Sequence, residues 1–160
     1  TFFIYSFYFM INTIIENFFR DSDFEIIEIL KKGDKSNKII EIYIDREQSF
    51  SIDEIAEVNR GLNNAFDEHY TENDIAKISV SSPGADRPYK FFWQLEKHKG
   101  RTMEAALADG TTETGKLISC NSEDESFELE IRDAHKKSLT QTKIFSFKDI
   151  SEIKAKLLFK

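Results

Sequence analysis

The residues best placed to do chemistry lie in one stretch, VSSPGADRPYK, at positions 80–90. It holds both prolines of the chain, Pro83 and Pro88, around a Gly-Ala-Asp-Arg core. Ser82-Pro83-Gly84-Ala85 fits a type II turn, with Pro fixing φ at the second position and Gly supplying positive φ at the third. Asp86 can fold its carboxylate onto local amides. Arg87, kept extended by Pro88, projects a planar five-donor fork in a set direction. This is recognition chemistry rather than bond-breaking chemistry. The same stiffness suits an elbow between domains, with Asp86 and Arg87 satisfying backbone groups or each other, and the residues alone leave both readings open.

Catalysis needs converging groups, and the rest of the chain does not supply them. His69, His98 and His135 are far apart and lack carboxylate or Cys partners at ligand spacing, so surface positions are expected. No Gly-rich phosphate loop occurs, and Gly115-Lys116 sits inside a strand pattern rather than opening a helix. The carboxylates are scattered along solvated faces. A lone cysteine, Cys120, excludes an intrachain disulfide and a Cys-based zinc cage, and is expected as a small apolar filler in a strand. The expectation is a non-enzymatic protein with no cofactor, no metal and no small-molecule substrate.

Such a chain must act by contact, and its charge bears on the partner. Its 160 residues, 40% hydrophobic and 32% charged, have room for one ordinary domain or two small ones. The net charge is −7, and it is uneven. Residues 10–92 hold 10 Lys/Arg against 17 Asp/Glu, whereas residues 93–160 hold 12 of each. That balance argues against binding bare nucleic acid through the general fold and fits a basic protein partner. The cysteine usage fits a reducing cytosol. The first fifteen residues carry no charge but are too short to span a bilayer, and they lack the basic start and small-residue cleavage site of a signal peptide. Residues 1–9 are expected to be an N-terminal extension, with the functional chain starting at Met10.

The elements that position residues 80–90 follow from periodicity. Met10, Ile11, Ile14, Ile15, Phe18 and Phe19 recur at helical spacing and predict a first helix over 10–20. Phe24, Ile26, Ile27 and Ile29 mark a strand, residues 31–38 a polar loop, and Ile39, Ile40, Ile42 and Ile44 a second strand, so a hairpin is expected. Ser51-Ile52-Asp53-Glu54 is a capping box, and Ile55, Val58, Leu62 and Phe66 share one face of a helix over 52–70. Residues 75–80 read as a third strand. The order α-β-β-α-β gives a two-layer α/β unit. After the turn, residues 91–100 read as a helical turn ended by Gly100. About five short strands then follow, at 101–108, 114–120, 127–132, 143–147 and 153–158, and suggest a small barrel of the SH3 or Sm-like kind. The fold class is therefore α+β, with an N-terminal α/β domain at 10–90 and a C-terminal SH3-like barrel at 91–160.

VSSPGADRP resembles the signature of the RimP ribosome maturation factor family, in which a strand ending Val-Ser-Ser-Pro-Gly is followed by Leu-Asp-Arg-Pro. The likeness extends to DFEIIEILKKG at 23–33, IYIDREQSFSIDEIAEVNRGL at 42–62 and FKDISEIKAKL at 147–157, so it covers roughly residues 10–158. Ala85 stands where the family usually has Leu, and Asp23 where it has Gly. The resemblance implies a cytoplasmic, non-enzymatic assembly factor that binds the free small ribosomal subunit and helps a late, basic small-subunit protein to dock, with contacts to 16S rRNA and none to membrane. It points to Ser81, Ser82, Pro83, Gly84, Asp86, Arg87 and Pro88 as the partner-binding residues. Asp45, at the end of the second strand, is a secondary candidate whose carboxylate could equally serve only to end the strand. The alternative from another class is a stand-alone RNA-binding module of the Sm-like or KH-like kind. A basic, aromatic-interleaved strand face would favour it, but the barrel strands carry balanced charge.

Overall fold

The computed structural model describes residues 2–34, 37–69, 77–136 and 138–157. The chain divides into two compact units, Thr1–Pro83 and Gly84–Lys160. The fold is mixed α+β: helices and strands alternate in the first unit, and strands dominate the second.

The first unit runs α1 (Phe2–Phe19), β1 (Glu25–Gly33), β2 (Lys38–Asp45), α2 (Ile52–Asp67) and β3 (Lys77–Ser81), the order expected from periodicity. α1 begins at Phe2 rather than at Met10, and the uncharged residues upstream hold no Gly or Pro to break the helix. Ile11, Ile15 and Phe19 form its buried stripe, and Met10, expected on that face, is 47% exposed. β1 and β2 pair antiparallel across the expected hairpin, and β2 and β3 pair parallel, giving the order β1-β2-β3. β2 is central, so its β-branched Ile40, Ile42 and Ile44 lose all solvent exposure and pack with Leu62 and Phe66 of α2. The capping box forms as read: Ser51 Oγ accepts from the Glu54 amide, and the Glu54 carboxylate accepts from the Ser51 amide. Tyr70, Ile75 and Ala76, expected at the end of that helix and the start of the third strand, lie outside the described residues, as do Lys35 and Ser36 of the hairpin loop.

The second unit opens with a short helix, α3 (Phe92–Glu96), and continues β4 (Thr102–Leu107), β5 (Thr112–Asn121), β6 (Ser126–Arg132), β7 (Thr140–Ser146), a 3-10 turn (Phe147–Asp149) and β8 (Ile150–Ala155). All five expected strands are present, although Leu158, at the end of the last, is outside the described residues. They form one antiparallel sheet in the order β7-β6-β5-β4-β8. Asp109-Gly110 turns the chain between β4 and β5, with Gly110 at φ +86. The inward side chains Met103, Ala105, Leu117, Phe127, Leu129 and Ile153 build a core with Phe92 and Leu95 of α3. Gly115 lies where β5 crosses β6 so closely that a Cβ there would stand 2.8 Å from the carbonyl oxygen of Glu130.

Candidate functional site

Residues 80–90 straddle the two units, so each half is held by different elements. In the first unit, β3 delivers Val80 and Ser81 to the end of the sheet. β3 is an edge strand, and α2 closes its open side with two asparagines one helical turn apart. The amide of Val80 donates to Asn59 Oδ1 at 3.0 Å, and Asn63 Nδ2 donates to the carbonyl of Ile78 at 3.4 Å and to the carbonyl of Asn59 at 2.8 Å. Backbone groups that would otherwise offer a template for another strand are thereby satisfied. Because β2 and β3 are parallel and Tyr43 lies opposite Ser81, Asp45 and Ser82-Pro83 leave the sheet at the same end. The structure thus brings the secondary candidate, Asp45, to the edge that carries the first part of the signature. Ser81 and Pro83 are half-buried there and Ser82 is exposed.

In the second unit, Gly84, Ala85, Asp86 and Pro88 are exposed and Arg87 is half-buried. The turn expected at Ser82-Pro83-Gly84-Ala85 is corrected by one feature. Gly84 does not adopt positive φ; Gly33, Gly100 and Gly110 do. The hydrogen bond that closes a turn here runs instead from the Arg87 amide to the Gly84 carbonyl, at 3.1 Å. A Cβ at 84 would sit 2.7 Å from Asp86 Oδ1, the end of an exposed side chain that can turn aside. Beyond Pro88, the amide of Tyr89 donates to the Ile153 carbonyl at 2.9 Å and ties the segment to β8. Gln94, 2% exposed, accepts from the amides of Lys90 and Phe91 at 2.8 and 3.0 Å through Oε1.

Asp45 is 7% exposed, and its Oδ1 accepts from the amide of Arg46 at 2.9 Å, a geometry that ends the strand. The next residue is a hub that sequence reasoning did not single out. Arg46 donates through its guanidinium to Glu54 Oε1 at 2.7 Å, to the Ser49 carbonyl at 2.9 Å and to Asp23 Oδ2 at 3.3 Å. The same group lies over the rings of Phe24 and Phe50, 4.6 and 5.7 Å from their centroids. Hydrogen bonds from the Ser51 amide and from Arg46 hold the Glu54 carboxyl below its usual range. Arg46 therefore joins the end of β2 to the start of α2. The clue in the sequence was an arginine directly after the strand with an N3 glutamate eight residues on.

The remaining chemistry is sparse. Among the described residues, no group of three His, Cys, Asp or Glu could hold a metal ion. The ring of His69 is exposed beside the Ala65 carbonyl, and His98 stacks on Tyr89 with centroids 5.4 Å apart. Cys120 lies in β5 and packs against the core as expected, and burial pushes its thiol up. An open groove of about 550 Å³ on the sheet of the second unit is lined by Thr102, Thr114, Gly115, Lys116, Glu130 and Arg132, where the Glu130 carboxylate offsets one of two cations. No helix among the described residues is long and apolar enough to cross a membrane.

Residues 14–86 match the model of the RimP N-terminal domain. The match contains the end of α1 from Ile14 on, the hairpin, α2, β3 and the signature as far as Asp86. A curated relative named ribosome maturation factor RimP, from Cytophaga hutchinsonii, is 33% identical over 99 residues, which is 61% of this chain and 59% of that one. The chain thus spans well under two thirds of that relative's length. Among solved structures, a chain from a study titled structural basis of the Dcp1:Dcp2 mRNA decapping complex activation by Edc3 and Scd6 aligns with 38% of this chain and 57% of its own. It does so at 20% identity and a TM-score of 0.32, too low to carry an argument. The likeness of residues 14–86 to the RimP N-terminal domain is the one that the motif at 80–88 led one to expect.

Proposed function

Because residues 14–86 match the model of the RimP N-terminal domain, we propose that this chain is a ribosome maturation factor for the small (30S) subunit. It binds the free subunit and assists the docking of a late, basic ribosomal protein, acting in the cytoplasm without catalysis or a cofactor. The observation that carries this reading is the family match, joined to a relative whose name is ribosome maturation factor RimP.

Three features support it. The acidic residues of the first unit include exposed Glu25, Glu47, Asp53, Glu57, Asp67 and Glu68, a surface suited to a basic protein tail. Asp45 and Ser81–Pro83 share one end of the sheet, so a partner could read both strands at once. Gly84, Asp86, Arg87 and Pro88, the remaining partner-binding candidates, belong to the second unit. Its five-stranded antiparallel sheet we take to be an SH3-like barrel, the domain spanning residues 91–160.

Depletion of the protein in its own cell tests the reading. The expected result is an accumulation of free small subunits deficient in a late protein, restored by the wild-type gene. An unchanged subunit profile would refute it.

A further inference from the structure

We infer that the open edge of β7 takes up an extended, positively charged segment of a partner protein as a sixth strand of the second unit's sheet. The inference rests on the proposed function only for that partner being ribosomal.

A bare sheet edge is a template for another chain, and proteins blunt the edges they do not use. Among the described residues the two sheets have four edges, and three of them are blunted. α2 covers β3 through Asn59 and Asn63, β1 carries a bulge between Ile26 and Glu28, and the Tyr89 amide occupies the Ile153 carbonyl of β8. β7 has none of these devices. It runs for seven residues without proline, and its register with β6 is unbroken. Its single charge, Lys143, is paired with Glu113 at 2.8 Å. The free groups follow from the ladder. The Asp133 amide donates to the Leu139 carbonyl at 3.0 Å and the Phe147 amide to the Glu125 carbonyl at 2.9 Å, which extends the β6–β7 register at both ends. Hydrogen-bonded and non-hydrogen-bonded pairs alternate along an antiparallel ladder, so Gln141, Lys143 and Phe145 turn their backbone groups to β6. Thr140, Thr142 and Ile144 turn theirs outward, and among the described residues no backbone hydrogen bond meets them there. All three are exposed, Ile144 at 74%. An added strand would find an amide and a carbonyl at each, and an apolar neighbour in Ile144.

Charge selects the occupant. Residues 121–131 carry Glu123, Asp124, Glu125, Glu128 and Glu130 and no Lys or Arg. Glu130 faces Lys116 across the β5–β6 pair and is offset by it. Glu128 lies directly opposite Ile144, and the other three stand in the turn that adjoins the Ser146 end of β7. The hydroxyls of Ser119 and Ser126 hold the carboxylates of Glu128 and Asp124 at 3.0 and 2.6 Å. A Lys or Arg side chain on a strand beside β7 can reach this acidic border, so a basic segment is favoured over a neutral or acidic one. A second copy of this chain would bring another set of the same carboxylates alongside, and like charges oppose it. The same carboxylates repel the phosphates of a nucleic acid.

The full chain, isotope-labelled for amide resonances, is titrated with a short synthetic peptide alternating Lys and Val. Saturable shifts centred on Thr140, Thr142 and Ile144 are expected, with hydrogen exchange at those amides slowed about tenfold or more in the complex. Added salt should weaken the complex, and a peptide alternating Glu and Val should not bind. N-methylation of alternate peptide residues removes the donors along one peptide edge and leaves the protein unaltered. Done in each phase, it should weaken binding about tenfold or more in one phase and far less in the other. Ile144→Pro removes an outward amide without touching the ladder to β6, a substitution that edge strands tolerate. It should abolish binding while the thermal transition of the second unit remains; if that variant fails to fold, the N-methylated peptides decide the matter. No binding, equal binding of the Glu-Val peptide, shifts confined to residues outside β6 and β7, or undiminished affinity of both N-methylated peptides would overturn the inference. So would a wild-type dimer that Ile144→Pro dissolves, which would assign the edge to a second copy. If the peptide fails to bind while the wild-type chain still associates with small subunits, the edge falls and the proposed function stands. If the peptide binds at β7 but subunits do not associate, the edge stands and the ribosomal reading falls.

Discussion

Replacing Asn59 with alanine tests how β3, and with it the signature, is held. Asn59 Oδ1 accepts from the amide of Val80 at 3.0 Å, and Val80 is 7% exposed, so no solvent replaces the lost acceptor. A buried donor left without a partner costs about 1–3 kcal/mol. Alanine returns about 0.5–0.7 kcal/mol through its higher helix propensity in α2. The net loss is then about 0.3–2.5 kcal/mol. For a domain of this size each kcal/mol lowers the melting temperature by about 4–8 °C, so the transition of the first unit should drop measurably while that of the second stays put. Hydrogen exchange gives the sharper readout, because the amide of Val80 should lose protection beyond the change in global stability. Asn59→Asp keeps the acceptor oxygens and should keep Val80 protected. Equal protection of Val80 in wild type and Asn59→Ala would show that the asparagine does not hold this edge.

Three other outcomes follow from the same structure. Gly115→Ala places a Cβ 2.8 Å from the Glu130 carbonyl and 3.0 Å from Ile131 Cγ1, in a strand paired on both sides, and should destabilise the second unit by about 1–3 kcal/mol in a calorimetric scan; an unchanged transition would mean that β5 and β6 do not approach as described. Arg87→Ala should reduce association with small subunits while both thermal transitions remain, and unfolding of that variant would make Arg87 a structural residue instead. The Glu54, Asp109 and Asp124 carboxyls are held below their ordinary values, Glu54 foremost by the Ser51 amide and the two aspartates by the hydroxyls of Thr111 and Ser126. Their contribution is complete above the unfolded-state pKa and is lost as pH falls through the depressed folded values, so stability should decline below about pH 4.5. Thr111→Val should make that decline shallower in acid titrations followed by circular dichroism, and an unchanged slope would count against the Asp109 contact.

What could be read from the sequence was local. The capping box at Ser51–Glu54 and the β-branched run Ile39–Ile44 carry their geometry in adjacent residues, and both formed as expected. The pins were not legible because they join residues distant in sequence. Asn59 and Val80 are 21 positions apart, Arg46 and Asp23 are 23 apart, and neither pair has a spacing that marks it. At the signature, the residue types pointed to the right place but to a different backbone. Pro83-Gly84 suits a type II corner, yet Gly84 does not take positive φ and the turn closes from the Arg87 amide to the Gly84 carbonyl. Helix α1 ran longer than expected because hydrophobic spacing locates a buried face and not the end of a helix.

The proposed function is tested most directly by sedimenting a lysate that contains the tagged full chain through a sucrose gradient. The account predicts that the protein travels with free small subunits, and little of it with whole ribosomes or large subunits. Equal distribution across all ribosomal fractions, or retention at the top of the gradient, would contradict it.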